Sequence, residues 1–422
     1  MAKAQHLQQA ENSSMWLVVR RLWIVALLVI VSLPSFSNTW NAQNRTKAVN
    51  HIARNFIRQF GYPEKKKRRT FSQFGYGLYL LSFPLMPITS FADPQHLGVH
   101  SYGRPSYKEH NGALYTCRGG FIDVSHMRAA ADWTVYLAFK IVAFERDFDL
   151  KPESGALHLR FRNLKELSLN DLTSMAQKIA FERLEWHETA SWYYTAPNFV
   201  TTERVSAFTP EDTYSNFLGT VIGKRIALRI LKDLDEKPYR IIATEEIQKA
   251  LAALEPLPTK PQAAMAYDQV DRFVQLKKPE TERNEDIWWN SEMDFTDYRY
   301  VFKRYIHIGP KLEPWLVPNQ DTLGCTTDIK AMPLDVPETA ETGKPLNAYY
   351  TFEIVPDSIL FFNKRNGEKL HEPFSRFTSD SLSNVIQFVK KDMESILLPG
   401  FDRRDKKDPI PEFKNVRKVV FK

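Results

Sequence analysis

The stretch Tyr115-Thr-Cys-Arg-Gly-Gly-Phe-Ile-Asp-Val-Ser-His-Met-Arg-Ala-Ala-Ala-Asp-Trp133 decides how this chain is read. Ahead of it, residues 93–120 are rich in Gly, Pro, His and Tyr, which predicts loop and short extended segments. From Asp123 to about Phe148 the pattern turns helical, with Ala129, Ala130, Ala131, Leu137 and Ala138 as good helix formers. Asp123 and His126 stand three apart and so share a helix face. That suits a pair of metal ligands, or an acid that orients an imidazole. Asp123 is equally explained as an acid at the positive end of the helix dipole. Arg128 and Asp132, four apart on another face, are expected to pair with each other.

Working outward, Asn170-Asp171 starts a second helix that runs to about Trp192. Leu172, Met175, Ala176, Ile179, Arg183, Trp186, His187 and Ala190 share one broad face, and Phe181 and Leu184 add apolar groups behind it. This helix is expected to be buried almost all round. Glu182, Arg183 and His187 then become buried polar groups that need partners. Glu188 follows His187, but Ser191 stands where a zinc-protease helix would carry its second histidine. Thr209-Pro-Glu-Asp212 is a complete helix start: a capping Thr, a Pro in the first turn, then Glu211 and Asp212 near the positive dipole end. Capping by itself explains all four residues. That third helix runs to about Leu234, and Gly219 and Gly223 in it predict a close approach to another helix.

A fourth helix is expected over Thr244–Leu254, a break at Pro256–Pro261, and another helix over 262–285. Tyr298–Ile308, Tyr349–Val355 and Ser358–Phe362 read as strands, with a tight turn at Asn366-Gly367. A last helix spans about Ser381–Leu398 and stops at Pro399-Gly400. The expected class is α+β, with a mainly helical core over 93–255 and a smaller mixed helix-and-strand region over 262–400. A charged tail follows over 401–422.

The leader carries most of the positive charge. The whole chain is +7. Residues 1–92 contribute 12 Lys and Arg against 2 acids, which leaves 45 basic and 48 acidic residues in the body. A basic chain suggests nucleic acid, but a body of net −3 without a basic stripe argues against that partner. Leu22–Leu33 is an apolar run behind Arg20 and Arg21, followed by small Ser35 and Ser37, as an export signal over 1–37 requires. It is short for a span of about 20 residues. Left uncleaved and lengthened by residues 16–19, it becomes a single membrane anchor. Within the basic stretch 38–92, five basic residues at 65–69 precede a second apolar run, Phe74–Ile88, and the small-x-small site Ser90-Phe-Ala92. The second run is the expected working signal, with residues 1 to about 64 upstream of it. Both readings place the body outside the cytoplasm, in the periplasm or anchored facing it. Cys117 and Cys325 are the only two cysteines. In an oxidising compartment they are able to pair, and otherwise Cys117 is a free thiol.

Three segments resemble a bacterial family of unknown function, domain-of-unknown-function family 4056. They are residues 115–128, Glu185-Trp-His-Glu188 with Trp192, and Ser206-Ala-Phe-Thr-Pro-Glu-Asp-Thr-Tyr-Ser-Asn216. The likeness covers roughly residues 95–235. It implies an exported or envelope protein and brings no reaction.

Three functions compete. The first is a metal-assisted envelope hydrolase. Asp123, His126 and His187 ligate a divalent cation, zinc before others, and Glu188, Glu182 or Glu211 serves as a further ligand or general base. The second is a thiol hydrolase using Cys117 with His126 or His187. The third is a non-enzymatic periplasmic binding or assembly protein, an envelope component or small-molecule binder, whose buried polar groups are structural. In that case Trp288-Trp289 serves as ligand surface or as core. No phosphate-binding loop, dinucleotide fingerprint, nucleophile elbow or CxxC pair occurs.

Overall fold

The computed structural model describes residues 42–56, 91–103, 108–144, 147–150, 155–193, 207–267, 269, 274–276, 300–302, 305–307, 309–326, 328–356 and 376–395. Both apolar runs of the leader, Trp288-Trp289, Ser358–Phe362, Asn366-Gly367 and the tail lie outside them.

Numbered in chain order, the first helix α1 is Ala42–Asn55, and the hairpin β1 (Ala113–Thr116) and β2 (Gly120–Asp123) leads into α2 (Val124–Phe144). Strands β3 (Phe148–Leu150) and β4 (Gly155–Phe161) follow, then α3 (Leu169–Tyr193), α4 (Pro210–Leu231), α5 (Tyr239–Leu254) and α6 (Lys260–Tyr267). The rest comprises β5 (Val274–Leu276), β6 (Tyr300–Phe302), β7 (Lys311–Leu312), β8 (Leu334–Asp335), β9 (Tyr350–Pro356), β10 (Phe377–Thr378) and α7 (Ser379–Ser395). The class is α+β.

Helices α2, α3 and α4 pack on one another and form the centre. The α2–α4 contact is the tightest, for the reason the two glycines predict. A Cβ on Gly219 would stand 2.2 Å from the Met127 carbonyl oxygen, and one on Gly223 would stand 2.6 Å from that of Ala131. The small Ala130 and Ala131 face them from α2. Helix α3 is buried on nearly every side, as its composition requires: Leu172, Met175, Ile179, Leu184 and Trp186 are all within 1% of full burial.

An antiparallel sheet ordered β10-β9-β4-β3 flanks the helices. Leu157 opposes Ile354 and Leu159 opposes Phe352, all four fully buried, while His158 and Arg160 alternate outward. This period-two pattern in β4 is plain in the sequence, yet the strand was not expected. Its partner lies almost 200 residues away in β9, so no local signal supplies the pairing. The expected helix over 262–285 is cut short at Tyr267, and Val274–Leu276 is instead the strand paired with β6. Non-local pairing overrides helix periodicity there. Helix α5 starts at Tyr239, five residues before the expected Thr244, because Pro238 caps it and accepts the Ile241 N–H at 2.8 Å.

Two features tie distant parts together. Cys117 and Cys325 form a disulfide with a Cα–Cα distance of 5.7 Å. Within the stretch read as leader, α1 buries Ala48 and Ile52 against the body, and Phe56 just beyond it packs on Phe139. Arg45 donates to the Leu164 carbonyl at 3.0 Å. Among the described residues no helix is long and apolar enough to cross a membrane.

Candidate metal centre

The N-termini of α2 and α4 meet because Gly219 and Gly223 let the two helices close on each other. The meeting point brings together Asp123, His126 and Asp212. One ligand atom from each lies within 4.8 Å of the others. His126 Nδ1 is 3.2 Å from Asp123 Oδ2 and 3.4 Å from Asp212 Oδ1.

Each aspartate divides its oxygens between two tasks. Asp123 caps α2: Oδ1 accepts the Ser125 and His126 N–H groups at 2.6 and 3.0 Å, which leaves Oδ2 for the imidazole. A cap of this kind contributes about 1 kcal/mol. Asp212 Oδ2 accepts the Thr209 hydroxyl at 2.7 Å, which leaves Oδ1. Capping therefore explains half of the Asp123 side chain, whereas at α4 the Thr209 side chain makes no cap hydrogen bond and its hydroxyl bonds Asp212 instead. The expectation that capping accounts for all of Thr209–Asp212 is corrected by this arrangement. Ser215 Oγ accepts the Asp123 N–H at 2.8 Å and fixes β2 against α4.

Two further carboxylates bound the cluster. Glu188 on α3 accepts the Phe208 N–H at 2.9 Å and the Asn216 amide at 3.3 Å. Phe208 holds a left-handed backbone (φ 57°), unusual for an aromatic residue, which aims that N–H at Glu188. Glu211 is 3% exposed, and its Oε2 has no hydrogen-bond partner among the described residues. The same is true of Asn216 Oδ1.

Burial and neighbouring charge set the proton affinities of the cluster. Burial opposes a charge on His126, but Asp212, Asp123 and Glu188 outweigh it and push the imidazole up to about 10. Burial lifts Glu211 to about 7, helped by the Asp123 charge. Burial also raises Asp212, joined by the charges of Glu211, Glu188 and Asp123 and opposed by His126. Protons are thus retained where a multivalent cation would replace them. No Lys or Arg among the described residues pairs with Asp123, Glu211 or Asp212.

The other residues singled out from the sequence lie apart. His187 is half-buried, one position before Glu188 and so about 100° round α3. It is not in the converging group, whose third member is Asp212. Glu182 faces the sheet: it accepts the Tyr350 hydroxyl at 3.0 Å and the Ser379 hydroxyl at 3.1 Å and lies 3.7 Å from the Lys178 ammonium. It fastens α3 to β9 and α7. Arg183 stacks over Trp133 at 4.0 Å. Arg128 meets Glu109, and Asp132 meets His100, so the expected Arg128–Asp132 pair does not form. The disulfide occupies Cys117 and removes the thiol-hydrolase reading.

The family described as "Protein of unknown function (DUF4056)" matches residues 73–318, more than half of the chain and well past the 95–235 over which the resemblance was read. No curated protein and no solved structure matches the chain.

Proposed function

Since the chain belongs to that family of unknown function, which brings no reaction with it, we propose a role from the site alone: a divalent-cation-dependent hydrolase of the cell envelope. Asp123, His126 and Asp212 hold the cation. The observation that carries this reading is the convergence of their three ligand atoms within 4.8 Å at a point 1–3% exposed. Donor atoms around one ion with bonds of about 2.0–2.4 Å are spaced this way.

A cation held there would bring the pKa of its water towards neutrality. The protein's own parts divide the remaining work. The two aspartates offset the cation's charge. His126 gives up its proton to ligate. Glu211, poised near 7 with one free oxygen, takes a proton from an attacking nucleophile. Carboxylates outnumber imidazoles, which favours a hard cation such as manganese or magnesium over zinc.

Export is part of the proposal. Its support is the signal-like leader and the Cys117–Cys325 disulfide, a bond that persists in oxidising compartments. Recovery of the protein in the periplasmic or membrane fraction tests it, and recovery in the cytoplasm refutes it.

A second reading is favoured by the near-complete burial of the cluster. There the cation only staples α2 to α4, within a binding or assembly protein. Elemental analysis and thermal unfolding with and without chelator test both readings: bound metal and a chelator-sensitive Tm are expected, and neither is expected if the cluster is merely polar. Turnover of ester or amide substrates by the loaded protein then favours the enzyme. Loading that raises Tm without turnover favours the staple.

A further inference from the structure

We propose that cation binding depends on the Cys117–Cys325 disulfide, so that the centre is completed only once that bond has formed. This rests on the metal reading above and adds its regulation. Asp123 ends β2, and Asp212 lies in the first turn of α4. Their spacing is therefore set by how the β1–β2 hairpin sits against the start of α4. The Asp123 N–H joins the two directly through Ser215 Oγ at 2.8 Å.

A strap, residues 309–326 and 328–332, crosses both elements. On the hairpin, the Val317 N–H donates to the Tyr115 hydroxyl at 3.0 Å, and the Met332 N–H donates to the Arg118 carbonyl at 2.8 Å. Gly120 (φ 70°) lets the strap pass close: a Cβ there would stand 2.1 Å from the Trp315 carbonyl oxygen. On α4, the Tyr214 hydroxyl donates to the Met332 carbonyl at 2.7 Å. The backbone of Met332 thus links the hairpin turn to the helix turn that carries Asp212. Just ahead of the strap, the Tyr305 N–H donates to the Phe208 carbonyl at 2.7 Å, and the Tyr305 carbonyl accepts the Thr213 hydroxyl at 2.8 Å.

The disulfide fastens this strap covalently. Cys117 lies in the hairpin turn beside Arg118, and Cys325 lies in the strap upstream of Met332. The two cysteines are 4% and 6% exposed, in an apolar cluster with Tyr115 and Phe121 of the hairpin and Val317 and Leu323 of the strap. Opening the bond leaves that packing in place but frees the strap to shift on the hairpin, because apolar contact is non-directional. A binding constellation needs its donors held within about 0.5 Å. Closing the bond is an oxidation: the two thiols give up two protons and two electrons, and a disulfide donor takes them up and leaves as two thiols.

Manganese titration of the full, metal-stripped chain by calorimetry tests this. The chain is compared oxidised, reduced with dithiothreitol and desalted anaerobically, and reoxidised with oxidised glutathione, with its folding followed by circular dichroism. Reduction should weaken manganese binding about 10- to 100-fold, the usual cost of losing support behind a ligand, and reoxidation should restore it. Y214F, which removes only the hydroxyl on Met332, should weaken binding in the same direction with the disulfide intact. H100A, destabilised elsewhere, should bind as the wild type does, which separates lost position from lost stability. Equal affinity in the oxidised and the folded reduced chain overturns the proposal and leaves the metal reading standing. Weakening in H100A as large as that on reduction also overturns it. If the reduced chain unfolds, Y214F decides, and unchanged affinity there overturns the proposal. No binding by the oxidised chain overturns both readings.

Discussion

Helix α2 carries two buried imidazole–carboxylate clusters about two turns apart, and they are built on opposite principles. In the first, His126 sits among Asp123, Asp212, Glu188 and Glu211. In the second, His100 lies 2.8 Å from Asp132 and 3.7 Å from Glu109, both carboxylates being supplied with donors. Asp132 also accepts the Tyr239 hydroxyl at 2.6 Å and the Gly103 N–H at 2.7 Å, and the Arg128 guanidinium stands 3.5 Å from Glu109. There the protein supplies its own counter-charge and its own hydrogens. Around His126 it supplies acceptors in excess. Burial and residue types are nearly the same in the two places. The balance of donors to acceptors is what distinguishes the His100 network from the group for which a cation is proposed.

The largest effect expected from this contrast is on metal content. H126A and D212N should abolish metal binding, and H100A should leave it unchanged, by elemental analysis after dialysis. Metal loss in H100A equal to that in H126A would erase the distinction. Next in size, H100A should lose about 3–5 kcal/mol of stability, the cost of breaking a buried pair and leaving its carboxylates uncompensated, read from denaturant midpoints.

Gly219→Ala should come third. Its Cβ would meet the Met127 carbonyl at 2.2 Å and push α4 away from α2. Overpacking of this kind costs about 1–3 kcal/mol. It should also weaken metal binding, because the same contact sets Asp212 beside His126. Unchanged affinity would show that the centre does not depend on the helix approach. A further effect is on pH dependence. His126 and Glu211 both have folded-state values above their ordinary ones, at about 10 and about 7. Each therefore stabilises the metal-free protein below its ordinary value, and that stability is lost as pH rises through the folded value. Chelator-treated protein should lose Tm from about pH 5, where Glu211 begins to ionise in the unfolded chain, to about pH 10, where the folded His126 loses its proton. Metal affinity should rise over the same range, since binding expels these protons. A metal-free Tm that climbs over this window would contradict the assigned charges.

How far the sequence reaches is seen in single residues. The Asp123–His126 spacing, the burial of α3, the closeness implied by Gly219 and Gly223, and the α+β class were all legible, because each is set by local periodicity or by residue size. Asp212 reads in the sequence only as an acid of a helix start. The structure gives one of its oxygens to the Thr209 hydroxyl, and no sequence pattern tells what the other faces. His187 was favoured because it shares a broad face with Trp186 and Ala190. On a helix buried all round, however, periodicity does not choose between neighbouring faces, and it is Glu188, one position on, that bonds Phe208 and Asn216 beside the cluster. The network of His100, Glu109 and Tyr239 was missed entirely. Its members come from loops and a helix far apart in the chain, and nothing short of the tertiary fold assembles them. The sequence does not decide the disulfide for the same reason, its partners being 208 residues apart.

The most direct test of the central claim is to locate the metal. Crystals of the full chain grown with manganese, measured for anomalous scattering, should show density beside Asp123 Oδ2, His126 Nδ1 and Asp212 Oδ1. Density at the His100–Asp132 cluster instead, or none beside His126 in manganese-saturated crystals, would contradict the account.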